Sequence, residues 1–84
     1  MSPAPWIEIY TTPACLALKR WLRAQNLPFV ERNLLDAAIA EEARRRTGVR
    51  VAPITIIDGR HVFFGAFAVQ RAEIEALLDL TRVA

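Results

Sequence analysis

Two short runs rich in β-branched and aromatic residues, Ile54 to Ile57 and His61 to Phe64, stand on either side of Asp58-Gly59. An Asp-Gly pair in that setting is the strongest short-range hairpin signal a sequence carries. Both residues accept the positive φ of a tight turn whose twist matches the flanking strands. The chain is thereby committed to an antiparallel strand pair near its C-terminal end. An isolated pair is only marginally stable in water, so the remaining residues must supply strands and helices that cover it.

They supply both. Trp6-Ile7-Glu8-Ile9-Tyr10-Thr11 is β-branched and aromatic and reads as a strand. Thr12-Pro13 reads as a helix start, with Thr as N-cap and Pro at the first helical position, and the helix is expected to run to about Asn26, stopped by Pro28. On this helix Leu18 and Leu22 share a stripe with Cys15, and Trp21 lies beside it. Lys19, Arg20 and Arg23 fall on the far side, where Leu16 is expected to be exposed. A second strand is expected over Phe29 to Asn33.

Asp36 can cap the next helix, which carries Glu41 and Glu42 early, Arg44-Arg45-Arg46 late and Gly48 just beyond its end. That order suits the helix dipole. The last helix is expected over roughly Val69 to Leu80, with Ile74, Leu77 and Leu78 at helical spacing. The order is β-α-β-α-β-β-α. Two strands joined by a crossover helix imply a parallel pair, to which the hairpin adds antiparallel strands. The expected fold class is α/β, a four-stranded mixed sheet with three helices.

The 84 residues have room for one domain, spanning 1–84, and a hydrophobic fraction of 54% argues against disorder. Cys15 is the only cysteine, so no disulfide framework exists, which suits a reducing compartment and a cytoplasmic location. The N-terminus lacks the basic-then-apolar order of a secretory signal, and no segment approaches the ~18 apolar residues of a membrane span. Net charge is +2, and every positive charge but Lys19 is arginine. The arginine run at 44–46 has no aromatic residues interleaved, so it reads as a helix C-terminus and not as a nucleic-acid patch. No cysteine and histidine cluster could hold zinc with four protein ligands. His61 reads as a lone surface histidine. Trp6 and Trp21 are expected in the core or at its edge.

Tyr10-Thr11-Thr12-Pro13-Ala14-Cys15 resembles the segment leading into the active site of glutaredoxins. Val51-Ala52-Pro53-Ile54, followed by the Asp58-Gly59 turn, resembles that family's cis-proline loop and the strands after it. Phe64-Gly65-Ala66-Phe67 stands where the family has a glycine-containing turn that helps hold glutathione or a partner protein. The resemblance covers roughly residues 6 to 80. It implies a thioredoxin-like, glutaredoxin-type fold and a cis bond between Ala52 and Pro53. It further implies Cys15 as the catalytic residue, with Thr12, Pro13, Ala52, Pro53, Gly65 and Ala66 binding substrate. No permanently bound cofactor is implied; glutathione is the expected co-substrate, and a disulfide-bearing protein or glutathione the expected partner.

The family pattern has two cysteines, Thr-x-Pro-x-Cys-x-x-Cys, and this chain is three residues short of it. Matched through Thr12-Pro13, Cys15 is the nucleophilic cysteine. Matched through Lys19-Arg20-Trp21-Leu22, it is the resolving one. A helix N-terminus favours a thiolate and an apolar stripe favours a thiol, and both settings are open to Cys15. Thr12 stands where the family often has a lysine, and Ala66-Phe67-Ala68-Val69 where it often has acidic residues. Two functions follow from these residues: a thiol–disulfide oxidoreductase acting through one thiol, or a non-catalytic binding module using the groove beside Pro53 with Leu16, Phe67 and Val69 as contacts. A monothiol iron–sulfur carrier ranks last, since Leu-Ala-Leu after Cys15 is unlike the glycine-containing loop of those proteins.

Overall fold

A computed structural model describes residues 5–13 and 15–79. Seven elements follow one another: β1 (Ile7–Thr11), α1 (Leu16–Ala24), β2 (Val30–Asn33), α2 (Ala37–Thr47), β3 (Ile54–Ile57), β4 (His61–Phe64) and α3 (Phe67–Leu78). The strands form one sheet in the order β2-β1-β3-β4. β1 runs parallel to β2, with Ile9 opposite Glu31, and antiparallel to β3, with Ile9 opposite Thr55. The hairpin pairs Ile54 with Phe64 and Ile57 with His61. This is the expected element order and mixed sheet.

The central strands are buried along their whole length, whereas β2 and β4 alternate, as edge strands with one free side do. On one face Ile7, Ile9 and Ile57 pack with Leu18, Trp21 and Leu22 of α1 and Ile74 of α3. On the other, Tyr10, Ile54 and Ile56 pack with Ala43 of α2, with Leu34, Ile39 and Val49 around them. The sheet therefore lies between α1 and α3 on one side and α2 on the other. Fully burying a Leu or Ile side chain contributes about 1.5–3 kcal/mol.

Local chemistry sets most element ends. Asp36 caps α2 by accepting from the N–H groups of Ala38 and Ile39, and Gly48 ends it in the left-handed region at φ 72. Asp58 and Gly59, at φ 56 and 70, form a turn that the Arg60 N–H closes onto the Ile57 carbonyl at 3.2 Å. Asp58 also accepts from the Trp6 N–H at 2.9 Å, which ties the hairpin tip to the start of β1.

Four expectations need correction. α1 ends at Ala24 because Asn26, at φ 56, turns the chain: the N–H of Leu27 bonds Leu22 and that of Asn26 bonds Arg23. This is a Schellman ending, and Pro28 lies beyond it. α3 starts at Phe67, not Val69, because the N–H groups of Val69 and Gln70 both bond the Ala66 carbonyl at 3.1 Å. Trp6 is 56% exposed and only Trp21 is in the core. Lys19 is not on a freely solvated face: its ammonium bonds Glu31 on β2 at 2.9 Å.

The arginine run is more than a helix end. Arg46 reaches back to the sheet, where its two terminal nitrogens each bond a different oxygen of Glu8 at 3.0 Å and one bonds Tyr10 Oη at 2.8 Å. Glu8 is buried, and Arg32 lies 3.4 Å from it. The Arg46 fork holds the Glu8 carboxyl below its ordinary range. Burial, and the bond the Tyr10 hydroxyl donates to Glu42, push the Tyr10 phenol up. α2 is thus held to the sheet by charge as well as by Ala43 and Ile39.

Candidate functional site

Pro13 fixes φ in the segment after β1, which suits a tight turn as well as a first helical position. Here the turn prevails. The Cys15 N–H donates to the Thr12 carbonyl at 3.0 Å, and α1 begins only at Leu16. Thr12 is therefore not the helix cap; Cys15 holds that position, and its sulfur makes no capping bond to the helix amides. Instead the Thr12 N–H donates to Cys15 Sγ at 3.5 Å, and the Thr12 hydroxyl lies 3.5 Å from the same sulfur. Behind this turn, Thr11 Oγ1 donates to Glu31 at 2.6 Å and Lys19 to the same oxygen at 2.9 Å. Those two bonds, Lys19 first, hold the Glu31 carboxyl below its ordinary range and join β1, α1 and β2 at the base of the turn.

Cys15 is half-buried at the wall of a groove of about 320 Å³ lined also by Thr12, Ala17, Leu18, Ala52, Pro53 and Phe67. The peptide bond between Ala52 and Pro53 is cis, as the family resemblance implies. Phe67 forms another wall and packs edge-on against Trp21, centroids 5.9 Å apart. Thus the structure brings Thr12, Cys15, Ala52 and Pro53 together. Pro13, Gly65 and Ala66 do not line the groove: Pro13 is exposed on the turn, Gly65 sits at φ 94 between β4 and α3, and Ala66 is the N-cap of α3.

A second cavity, about 570 Å³, adjoins the first and shares Thr12 and Ala52 with it. It is lined by Ala37, Ala40 and Ala43 of α2 with Leu34, Val49 and Ile54, and by the charged residues Glu41, Arg44 and Arg50, of which Arg44 pairs with Glu41. Among the described residues, no group of three or more His, Cys, Asp or Glu could hold a metal ion. Among them, too, no helix is long and apolar enough to cross a membrane.

Sequence reasoning missed one residue that bears on this site. Gln70 is completely buried behind Pro53 and Gly65. Its signal was present: it falls at helical spacing between Phe67 and Ile74, a polar residue on the apolar stripe of α3.

Residues 7–62 match the family model described as Glutaredoxin. No curated protein matches the chain. Among solved structures, the chain is similar to the thioredoxin-like protein BC3987 at 26% identity and TM-score 0.69, covering 81% of this chain and 97% of that one. It is similar to NrdH-redoxin from Escherichia coli, described as a glutaredoxin-like protein with a thioredoxin-like activity profile, at 30% identity and TM-score 0.59, covering 77% and 91%. Glutaredoxin 1 from Francisella tularensis, complexed with cacodylate, shares the fold at 23% identity and TM-score 0.65, covering 90% and 99%.

Proposed function

Since the chain belongs to the glutaredoxin family, a family of thiol–disulfide oxidoreductase-like proteins, we propose that it exchanges disulfides through the single thiol of Cys15. The supporting observation is that Cys15 lines the same groove as the cis Pro53, which agrees with the match through Thr12-Pro13. Matching through Lys19 and Trp21 would bury the sulfur among Leu18 and Leu22.

The chemistry needs one protein sulfur. Cys15 thiolate attacks the glutathione sulfur of a peptide–glutathione mixed disulfide, the peptide leaves as a thiolate, and Cys15 carries the glutathione. A second glutathione thiolate then attacks that bond, releasing glutathione disulfide and regenerating Cys15. The Thr12 N–H, already aimed at the sulfur, can stabilise charge there when Cys15 is the leaving group. Ala52 and Pro53 align the incoming disulfide, and Arg50 at the adjoining cavity can meet a peptide carboxylate. With no second cysteine in this chain, an internal disulfide cannot form and the resolving thiol is external.

The test is release of glutathione from a dye-labelled peptide whose one cysteine carries it. The wild-type chain is expected to turn this substrate over with glutathione present, and Cys15→Ser to abolish turnover while changing stability by less than about 1 kcal/mol. A binding module is the second reading, favoured by the apolar residues at 48–56% exposure beside the groove: Leu16, Val51 and Val69. Peptide binding that survives in Cys15→Ser, with no turnover by the wild type, would establish it instead.

A further inference from the structure

Three segments around the groove are joined by one enclosed side chain. Gln70 lies in the first part of α3 with no solvent exposure. Its Nε2 donates to the Pro53 carbonyl at 2.7 Å and to the Gly65 carbonyl at 2.9 Å, and its Oε1 accepts from the Thr55 hydroxyl at 2.7 Å. An amide NH2 has two donors, and both are used. The amide orientation follows from these partners, since the flipped form would set its oxygen against two carbonyl oxygens. Buried bonds of this kind rigidify what they join.

What they join is the wall facing Cys15. Pro53 lines the groove, and Thr55 follows it in β3. Gly65 sets the entry into α3, whose first residue, Phe67, lines the groove as well. Attack on a disulfide requires the three sulfurs nearly in line, so a small displacement of this wall misaligns the bond to be broken. Misplacement by about 1 Å costs reacting groups roughly a hundredfold in rate.

We propose that Gln70 is a positioning residue for disulfide exchange: it holds the Pro53 wall and the Gly65 turn in register with Cys15 without touching either sulfur. The proposal rests on the oxidoreductase reading above. It separates two rates. Alkylation of Cys15 by iodoacetamide needs no wall, whereas exchange with the glutathionylated peptide does.

Gln70→Met keeps the side-chain length and removes both donors; it is expected to lower kcat/KM for the peptide by about tenfold or more and to leave the alkylation rate within about twofold. Thr55→Val frees only the amide oxygen and is expected to give a smaller loss of the same kind. It carries the test if Gln70→Met does not fold. The proposal is overturned if these variants keep the wild-type ratio of exchange to alkylation, or if both rates fall together. A wild-type chain that alkylates but never exchanges overturns the oxidoreductase reading, and this proposal with it.

Discussion

Replacing Arg46 by Met tests what holds α2 to the sheet. The guanidinium bonds both oxygens of Glu8 at 3.0 Å and Tyr10 Oη at 2.8 Å. Its loss leaves Glu8, which is 5% exposed, with Arg32 alone, at 3.4 Å. Stripping one partner from a fully buried pair costs about 3–5 kcal/mol, and an exposed pair is worth about 0.2–1. The Arg46 side chain keeps 32% of its surface in water, so the cost falls between, at about 2–3 kcal/mol. In a domain of this size that lowers Tm by roughly 10–20 °C. Urea denaturation followed by tryptophan fluorescence measures it directly, since Trp21 leaves the core on unfolding, with an unchanged slope as the sign that only stability moved.

The pH dependence makes the argument specific. Glu8 is held below its ordinary value, chiefly by the Arg46 fork. A group depressed in this way adds stability above its unfolded value, about 4.3, and that stability is lost as pH falls through the lower folded value. The gap between wild type and Arg46→Met is therefore full at pH 7 and closes below about pH 4. In a Glu8→Gln background Arg46→Met is expected to cost less, because a neutral amide needs no counter-charge. A deficit under about 0.5 kcal/mol at pH 7 would refute the reasoning, and so would a gap that stays constant between pH 7 and pH 3.

Three further outcomes are expected. Burial, then the bond to Glu42, raises the Tyr10 phenol; wild-type stability should fall as pH rises above about 10, and Tyr10→Phe should remove that slope in alkaline urea titrations. Asp36→Ala deletes the α2 cap and should cost about 1 kcal/mol, read by thermal melting at 222 nm. Gly59→Ala meets no atom within 4 Å, so its cost is conformational alone, from φ 70; about 1–2 kcal/mol is expected in urea denaturation, and less for Gly59→Asn.

Features that depend on one or two residues' own preferences were legible in the amino-acid order. The Asp58-Gly59 turn, the Asp36 and Gly48 ends of α2, and the β-branched run of β3 each sit where local chemistry puts them. The resemblance named Cys15 and the Ala52-Pro53 loop, and four of the seven expected site residues share one groove.

Where a residue has two acceptable local roles, only the folded chain chooses between them. Thr12-Pro13 suits a helix start or a tight turn, and the turn leaves Cys15 just ahead of α1, in a groove it lines with Pro53 and Leu18. Arg46 suits any helix C-terminus, but its partners Glu8 and Tyr10 lie 38 and 36 positions away in sequence. Gln70 would stand as a flaw on an apolar face, were its three partners not brought to it from β3, the Pro53 loop and the Gly65 turn. Backbone preference acts within a few residues and is written in order. A buried polar group is decided by whichever partners the fold delivers, and those are fixed only once the sheet has closed around it.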